Sequence, residues 1–177
     1  ASGIALPAYR WNRVVLMPHT HPLASLKRAP TLAELADLPL VSYDSSVKPE
    51  SSLRRAFAAA GLVPQVAMTA ADADLIKTYV RAGMGIGVLA EMAMLPSDGD
   101  DLRTITADAL FPTCTTWILL RRDSVLRDYT LDWIVQFAPH LNRADVRSTV
   151  TNGTPHPATV VPHWRQNVAR ARKASVE

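Results

Sequence analysis

Short apolar segments alternate with segments of helical periodicity along most of this chain, and that alternation restricts the fold more than any other feature. Strands are predicted over six apolar or β-branched runs, at 13–17, 39–43, 65–69, 86–90, 102–106 and 115–121. Helices are predicted over four other segments, at 31–37, 51–60, 72–83 and 124–139. This order predicts an α/β sheet with right-handed crossovers, and the all-apolar strands fit a sheet covered on both faces.

Capping signals and apolar stripes support the helices. Thr31 and Glu34 have the spacing of a capping box, and Asp72 is placed to cap the third helix. Two helices are predicted to bury one apolar side each: Leu75, Ile76, Tyr79 and Val80 in the third, and Leu126, Tyr129, Trp133 and Phe137 in the last. The pattern fades from residue 142, so 142–177 is predicted to be a linker, richest in Thr, Pro and Val at 149–162, and a basic tail.

The run Gly83-Met84-Gly85-Ile86-Gly87 invites comparison with a nucleotide-binding loop, but its context is wrong. A dinucleotide fingerprint follows a strand and opens a helix, whereas these glycines close a helix and open a strand. We therefore expect Gly83 to adopt the left-handed conformation that ends a helix. Gly85 and Gly87 are expected to let the helix and the strand pack closely.

Composition excludes several classes of protein. The 177 residues, 48% hydrophobic and 20% charged, suffice for one domain or two small ones and exclude disorder over most of the chain. The single cysteine, Cys114, excludes an intrachain disulfide framework. No apolar run approaches the roughly 20 residues of a membrane helix, and no signal peptide is visible. We therefore expect a cytoplasmic protein with no membrane partner.

The net charge of +3 comes from the end of the chain. Residues 1–160 hold 15 basic and 15 acidic side chains, so they are neutral as a whole. Residues 161–177 hold four basic side chains, Arg165, Arg170, Arg172 and Lys173, and one acidic side chain, Glu177. They account for the whole excess of positive charge. A nucleic-acid-binding domain would carry a basic cluster within its fold, and residues 1–140 show none. A short basic helix over 166–175 is either a solvated chain end or an electrostatic contact for DNA or another partner.

No catalytic or metal-binding constellation is predicted. His19 and His21 lie two apart in a Pro-bounded loop, which is typical of a surface loop rather than of a metal site. Cys114 lacks the basic neighbour that would make it a reactive thiol, and the Gly-x-Ser-x-Gly nucleophile motif is absent. Asp72 and Asp74 could pair for acid–base chemistry, but residues two apart on a helix point in different directions. We expect no metal, no cofactor and no enzyme activity.

Polar side chains cluster at two junctions where a predicted strand leads into a helix. Ser45, Ser46 and Lys48 follow the strand at 39–43, and Thr69 ends the next strand. Ligands of open α/β sheets bind at the carboxyl ends of strands, where helix amino ends offer free N–H groups and a positive dipole to anions. These side chains suit a small anionic or zwitterionic ligand, although turns and caps alone would explain the same residues.

Trp11 precedes the first predicted strand, between Arg10 and Asn12. A tryptophan in this place is either a core residue or, beside a crevice, an apolar wall with an N–H donor. The residues alone leave both interpretations open.

Six motifs between residues 6 and 141 occur together in one known family of proteins. They are LPAYRWNR (6–13), HPLA (21–24), TAADADLIKTYVRAGMGIGVLAEM (69–92), RRD (121–123), LRDY (126–129) and FAPHL (137–141). This set resembles the LysR-type transcriptional regulators, and in particular their CysB-like (cysteine regulon) branch. HPLA and the helix followed by Gly-x-Gly-x-Gly are general to that family, whereas ADADLIKTYVR and FAPHL are more specific to the branch.

The resemblance implies an effector-binding domain of the periplasmic-binding-protein type (type 2). Two α/β subdomains would be joined by two crossover strands, with the effector in the cleft between them. This chain would supply a crossover or hinge segment (1–10), the second subdomain (11–114), and the strand and helix that return into the first subdomain (115–141), followed by 142–177. The winged helix-turn-helix and most of the first subdomain would be missing, so we interpret the chain as a fragment of a regulator.

The resemblance also implies the ligand. The effector would be N-acetylserine or O-acetylserine, with sulfate, thiosulfate or sulfide as related ligands, and the regulator would control sulfur assimilation and cysteine biosynthesis. Trp11 matches the cleft tryptophan of the family, whereas Lys48 stands near the place where the family has a threonine in the loop after the second strand. The full regulator would bind DNA through the missing region and form a homo-oligomer, a tetramer. This chain by itself would bind its effector weakly or not at all, because half of the cleft would be absent.

Two other classes of function remain open from the sequence. The chain could be a free-standing solute-binding module of the same fold, which would need an export signal and a complete first subdomain. It could also be an α/β enzyme, which is disfavoured because no nucleophile–base set or metal spacing is present. A helix-turn-helix coding region upstream of this reading frame would separate the regulator from the solute-binding module.

Overall fold

The computed structural model describes residues 3–122 and 125–166, and the chain divides into two compact units. Asn12–Thr113 form the first, which we call the central unit. The described parts of Ala1–Trp11 and Cys114–Glu177 form the second, which we call the flanking unit. Each unit has its own hydrophobic core, so each is described by itself.

Seven strands and five helices make up the described residues. The strands are β1 (Gly3–Trp11), β2 (Arg13–Pro18), β3 (Pro39–Tyr43), β4 (Gln65–Ala70), β5 (Ile86–Ala90), β6 (Leu102–Thr106) and β7 (Cys114–Arg121). The helices are α1 (Leu32–Ala36), α2 (Ser52–Ala59), α3 (Ala73–Arg81), α4 (Asp128–Phe137) and α5 (Arg143–Asn152). Short 3₁₀ turns occur at Pro22–Ser25, Asp44–Val47, Glu91–Ala93 and Pro96–Asp100. The predicted α/β class is confirmed, and each of the six predicted strands is found within one residue of its predicted bounds.

The central unit contains a five-stranded mixed sheet in the order β4-β3-β5-β2-β6. β3 is parallel to both of its neighbours, whereas β2 is antiparallel to β5 and β6. Parallel neighbours cannot be joined by a tight turn, so the chain crosses over through a helix: α2 joins β3 to β4, and α3 joins β4 to β5. The carboxyl ends of β3, β4 and β5 therefore share one edge of the sheet.

Both faces of this sheet are covered, as the apolar strands predict. One core combines alternate residues of β2 with residues of α2, namely Val15, Met17, Leu53 and Phe57. The other core combines the remaining alternate residues of β2 with α3, namely Val14, Leu16, Ile76 and Val80. Successive side chains of a strand point to opposite faces, so an all-apolar strand needs a helix on each side.

The glycines after α3 have structural roles. Gly83 has φ +74°, which confirms the predicted left-handed end of the helix. A Cβ at Gly87 would lie 3.0 Å from Val80 Cγ2 and 3.2 Å from Leu16 Cβ, so this glycine lets α3 pack closely on the sheet, as predicted. A Cβ at Gly85 would collide with the backbone carbonyl of Pro39, so Gly85 permits close approach to β3 rather than to the helix.

In the flanking unit, β1 and β7 form an antiparallel pair. The sheet buries one face against α4 and α5 in a core that includes Ile4, Leu6, Ile118, Leu131 and Val146. β1 was not predicted as a strand, because Pro7 interrupts its apolar alternation. The structure accommodates this proline with a shift of the β1–β7 register between Pro7 and Tyr9.

The apolar side of the last predicted helix is confirmed for Leu126 and Phe137, which pack against the core, and wrong for its other two residues. Tyr129 is 69% exposed and Trp133 is 54% exposed, whereas Leu131 and Ile134 are buried. Both sets of residues have helical spacing, so the sequence pattern does not choose between them. In the structure, Leu131 and Ile134 pack in the core with β1 and β7. Trp133 stacks instead on Phe137, with ring centroids 4.9 Å apart. Ser124, the predicted start of this helix, lies outside the described residues.

The predicted linker over 149–162 begins inside a helix, so this prediction is wrong for its first residues. The Asn142 side chain accepts N–H hydrogen bonds at the amino end of α5, and Gly153, at φ +69°, ends the helix. Val146 and Val150 are fully buried. The apolar pattern of this helix is weak, because its buried side has only two large apolar residues and is completed by Thr149.

The segment after α5 also makes ordered contacts. The backbone N–H of Arg10 donates to the carbonyl of Pro162 at 2.9 Å, and Arg10 Nε donates to the carbonyl of Val161 at 3.0 Å. A parallel bridge pairs Arg10 with His163. Residues 161–163 therefore line the outer edge of β1. The predicted basic helix at 166–175 lies, apart from its first residue, outside the described residues.

A buried ion pair fixes α3 of the central unit. Lys77 is 3% exposed, and its Nζ donates to Asp98 Oδ2 and to the carbonyl of Ala93, each at 3.1 Å. Asp98 is 4% exposed and also accepts hydrogen bonds from the Leu95 N–H and from Arg81, each at 2.9 Å. Burial raises the pKa of the Asp98 carboxyl, but these three donors outweigh burial and lower the pKa to about 2.

We predict that Asp98→Asn lowers the free energy of unfolding by about 3 kcal/mol at pH 7, because the substitution removes the buried carboxylate that Lys77 and Arg81 share and leaves Lys77 only the exposed carboxylate of Asp74. Urea unfolding followed by circular dichroism measures this loss. Asp101→Asn is the matched control: it removes an exposed carboxylate from Arg81 and should cost less than about 1 kcal/mol.

The same comparison has a defined pH dependence. The pKa of Asp98 is about 2 in the folded protein against 3.8 when exposed. Its charge therefore contributes about 2 kcal/mol of stability above pH 3.8, and that contribution is lost as the pH falls toward 2. The difference between the parent chain and Asp98→Asn should shrink over this range, and equal losses for Asp98→Asn and Asp101→Asn would contradict the assignment.

Candidate functional site

The candidate site lies in the central unit, where the carboxyl ends of the parallel strands meet. We call this part of the sheet the carboxyl edge and define it by residues 43–52, 69–72, 90–91 and Arg13. β3 runs into the turn at Asp44–Val47 and then into α2, while β4 runs directly into α3. Ser42 and Thr69 are paired in register, as are Tyr43 and Ala70, so the two junctions leave the sheet side by side. Arg13 opens the antiparallel strand β2 at the same edge, opposite Ala90.

The structure brings four of the five predicted site residues to this edge. Ser45 and Lys48 are exposed in the segment after β3, and Thr69 is half-buried near the end of the neighbouring strand β4. The Asp44–Val47 turn contacts β4. Ser46 is only 4% exposed, so its hydroxyl is less available to a ligand than that of Ser45.

The amino end of α2 is held in place by Ser51. Ser51 Oγ donates to the carbonyl of Ser46 at 2.6 Å and accepts the N–H of Arg54 at 3.1 Å. The Ser51 N–H donates to the carbonyl of Lys48 at 3.0 Å. These bonds tie the turn to the helix, and the first N–H groups of α2 have no acceptor within the helix itself. The edge therefore presents donors and a positive dipole beside Ser45 and Lys48.

The second junction is capped by its own side chain. Asp72 Oδ1 accepts the Leu75 N–H at 2.9 Å, which confirms the predicted N-cap of α3. Asp74 forms an ion pair with Lys77 instead of pairing with Asp72. The carboxylates of this junction are thus accounted for by capping and ion pairing.

Arg13 is a residue of the edge that the sequence reasoning missed. It is 8% exposed, its Nη2 donates to Ser52 Oγ at 2.9 Å, and its guanidinium carbon lies 5.8 Å from the centre of the Phe111 ring. Ser52 is the first residue of α2. Arg13 therefore joins the start of β2 to the start of α2. The signal was present in the sequence, because Arg13 is the one charged residue in an otherwise apolar strand.

Tyr43 also lies at this edge. Its hydroxyl accepts the Ala90 N–H at 3.3 Å. Burial raises the pKa of the phenol above its ordinary value, against the opposing effects of the Ala90 hydrogen bond and of the Arg13 charge, so Tyr43 is neutral near pH 7. Glu91 accepts the Asn12 N–H at 2.9 Å and donates its own N–H to the Asn12 carbonyl at 3.0 Å. The start of β2 is thus fixed to the end of β5.

Trp11, the fifth predicted residue, belongs to the flanking unit. It is the last residue of β1, is half-buried, and is paired in register with Cys114 of β7.

The edge has the chemistry of a binding site. It offers hydroxyls, the Lys48 ammonium and helix N–H groups, which can hold a small ligand through hydrogen bonds and charge. His19 and His21 make hydrogen bonds with backbone groups elsewhere in the central unit. Among residues 3–122 and 125–166, no group of three or more His, Cys, Asp and Glu residues could hold a metal ion. No helix in the described part of the chain is long and apolar enough to cross a membrane.

Comparison with known proteins identifies relatives of this domain. The sequence profile of the LysR substrate binding domain matches residues 2–142. The chain is 43% identical to the HTH-type transcriptional regulator SsuR of Burkholderia cenocepacia over 143 residues, which are 81% of this chain and 46% of that protein. It is also 43% identical to the HTH-type transcriptional regulator CysB of Haemophilus influenzae, over 81% of this chain and 44% of that protein. The chain thus spans less than half the length of these relatives.

Solved structures show the same architecture. The cofactor-binding domain of the Cbl transcriptional regulator superposes with a TM-score of 0.77 at 32% identity, over 84% of this chain and 65% of that one. The effector-binding domain of QuiR in complex with shikimate shares the fold at 14% identity, with a TM-score of 0.63 over 77% of this chain and 63% of that one. The named relatives are regulators of transcription, which confirms the prediction that this chain is not an enzyme.

We predict that Arg13 and Ser52 are energetically coupled. Arg13→Ala and Ser52→Ala should each destabilise the chain, and the double substitution should cost about 1–2 kcal/mol less than the sum, because the charged hydrogen bond is lost only once. Urea unfolding of the four proteins gives the coupling energy. The control cycle pairs Ser52→Ala with Lys27→Ala on a distant loop, where the two effects should add; additive effects for Arg13 and Ser52 would remove this link.

Proposed function

Since this chain belongs to the family of LysR substrate-binding domains, we propose that its carboxyl edge binds the effector of a transcriptional regulator of sulfur assimilation and cysteine biosynthesis. The observation that supports this proposal is that the turn after β3, which precedes α2 and carries Ser45, contacts β4, whose end carries Thr69. The relatives SsuR, CysB and Cbl support placing the regulator in the branch that the sequence motifs resemble.

The charge of the edge favours an anionic or zwitterionic effector. Lys48 brings an exposed ammonium, Arg13 donates a hydrogen bond to Ser52 at the start of α2, and the helix N–H groups add partial positive charge. By resemblance to the branch, the effector is N-acetylserine or O-acetylserine, with sulfate or thiosulfate as related ligands. All four carry at least one anionic oxygen that these donors can hold.

Lys48 sets the preference among these ligands. An ammonium acts as a point charge with three donors, whereas the threonine that the family has near this place offers one hydroxyl that both donates and accepts. A ligand with net negative charge therefore gains more from Lys48 than a zwitterion, whose own ammonium is repelled. We assign direct ligand contacts to Ser45, Lys48 and Thr69 of the central unit, and to Ser46 a supporting contact within the turn. The role of Trp11 as a ligand contact is proposed from the family resemblance alone.

We assign the parts of this chain to the subdomains of the effector domain by resemblance to the family. Residues 11–114 act as the second subdomain of the effector domain, and 115–141 return into the first. The effector shifts the balance between two arrangements of the domain by no more than the difference between its affinities for them. This change alters DNA binding by a helix-turn-helix region of the full regulator. We propose that the full regulator is a homo-oligomer, a tetramer, and that it acts in the cytoplasm. No covalent chemistry is required.

We predict that Lys48→Gln weakens N-acetylserine and sulfate binding about tenfold, or about 1.4 kcal/mol, and O-acetylserine binding less than threefold, because only the first two carry net negative charge. Isothermal calorimetry on a full-length regulator carrying this domain measures the three affinities. Lys27→Gln, an exposed lysine away from the carboxyl edge, is the matched control and should leave all three unchanged. Equal weakening of all three ligands would contradict the charge argument.

We predict that Trp11 reports on the effector. The change in tryptophan fluorescence on adding O-acetylserine should be absent in Trp11→Phe and retained in Trp133→Phe, whose ring is exposed on α4. Trp11→Ala should also weaken binding at least fivefold, because it removes an apolar wall. An unchanged affinity in Trp11→Ala would remove Trp11 from the site without affecting the assignment of Lys48.

A further inference from the structure

The outer edge of β6 borders a basic groove that the proposed function does not use. β6 is the last strand of the five-stranded sheet, and no strand among the described residues pairs with its outer side. Residues 26–29 line one wall of a groove of about 280 Å³, and residues 103–106 of β6 line the other. We call this feature the β6 groove.

The lining of the β6 groove is basic. It contains Lys27, Arg28 and Arg103, and none of its lining residues is acidic. Arg28 is neutralised by Glu34, whose two carboxylate oxygens accept from its two terminal nitrogens at 2.9 and 2.6 Å. Lys27 and Arg103 are exposed, and neither forms an ion pair within the described part of the chain. The groove therefore carries an excess of two positive charges, one on each wall.

The backbone of β6 adds a second, directional element. Alternate residues of an edge strand present N–H and C=O groups outward, and these groups can pair with a further strand. Four residues of strand span about 13 Å, which matches a short extended peptide. Ile105 packs against the core beneath the sheet, so the groove offers charge and backbone rather than an apolar anchor.

We propose that the β6 groove binds an extended acidic segment of a partner protein, which adds to the sheet alongside β6 and places its carboxylates against Lys27 and Arg103. Strand addition takes its affinity from main-chain hydrogen bonds and its selectivity from alternate side chains. A small anion would use the charges of Lys27 and Arg103 but not the backbone groups of β6, which line the same groove. Duplex DNA would need a longer row of phosphate contacts than two cations provide.

The test uses the whole ¹⁵N-labelled chain and synthetic peptides. The acidic probe Ac-Glu-Val-Glu-Val-Glu-NH₂ should shift the backbone amides of residues 103–106 and 26–29, and the basic probe Ac-Lys-Val-Lys-Val-Lys-NH₂ should not. Arg103→Glu and Lys27→Glu should each weaken the acidic probe at least tenfold. Arg55→Glu, an exposed arginine on α2, is the matched control and should bind the probe as the parent chain does.

A second probe separates strand addition from attraction between charges. Ac-Glu-Val-Glu-Pro-Glu-NH₂ has the same charge but lacks one backbone donor, and it should bind at least fivefold more weakly. Equal binding of the proline peptide would overturn strand addition. The absence of shifts at 103–106, or shifts caused there by inorganic phosphate or a duplex oligonucleotide but not by the acidic peptide, would overturn the proposed partner. If Lys27 and Arg103 only protect the edge strand from pairing with another strand, the acidic peptide should cause no shifts at residues 103–106.

Discussion

The parallel pairing of β3 with both β4 and β5 is the constraint on which the rest of the central unit depends. Parallel strands need a crossover, so the chain must place α2 and α3 between them and must bury a helix against the sheet each time. The carboxyl ends of all three strands then meet at one edge, and each leads into a turn or a helix start. The meeting of these polar junctions at one edge is therefore a consequence of the topology of the sheet.

Two buried charges hold helices α2 and α3 in this arrangement. Arg13 ties the start of β2 to the start of α2, and Lys77 ties the middle of α3 to the turn that contains Asp98. A buried charge without a partner would cost several kcal/mol, so each geometry is favoured only while its partners remain in position. The turn beside Ser45 and Lys48 is thereby attached to a rigid element, which reduces the ordering cost of binding a ligand there.

The sequence predicted where the candidate site residues lie relative to the strands. It did not predict which of their side chains are exposed to solvent. Ser45, Ser46, Lys48 and Thr69 were chosen because they follow strands, and their shared edge follows from the parallel sheet. That Ser46 is buried and Ser45 exposed depends on how the turn packs on β4, and no local pattern encodes this. A charged residue at a strand end usually points to solvent, whereas Arg13 is buried and contacts Ser52 and the Phe111 ring, which are distant in the sequence.

By itself, the sequence determined the α/β class, the strands of the central unit, the caps at Thr31 and Asp72, and the left-handed end of α3 at Gly83. These features depend on interactions within a few residues of chain, so the local pattern suffices. Tertiary structure alone decided that α4 buries Leu131 and Ile134 rather than Tyr129 and Trp133, that α5 is a helix, and that Lys77 and Arg13 are buried. Those outcomes depend on which distant segment covers each side chain, and burial against a distant segment outweighs local preference.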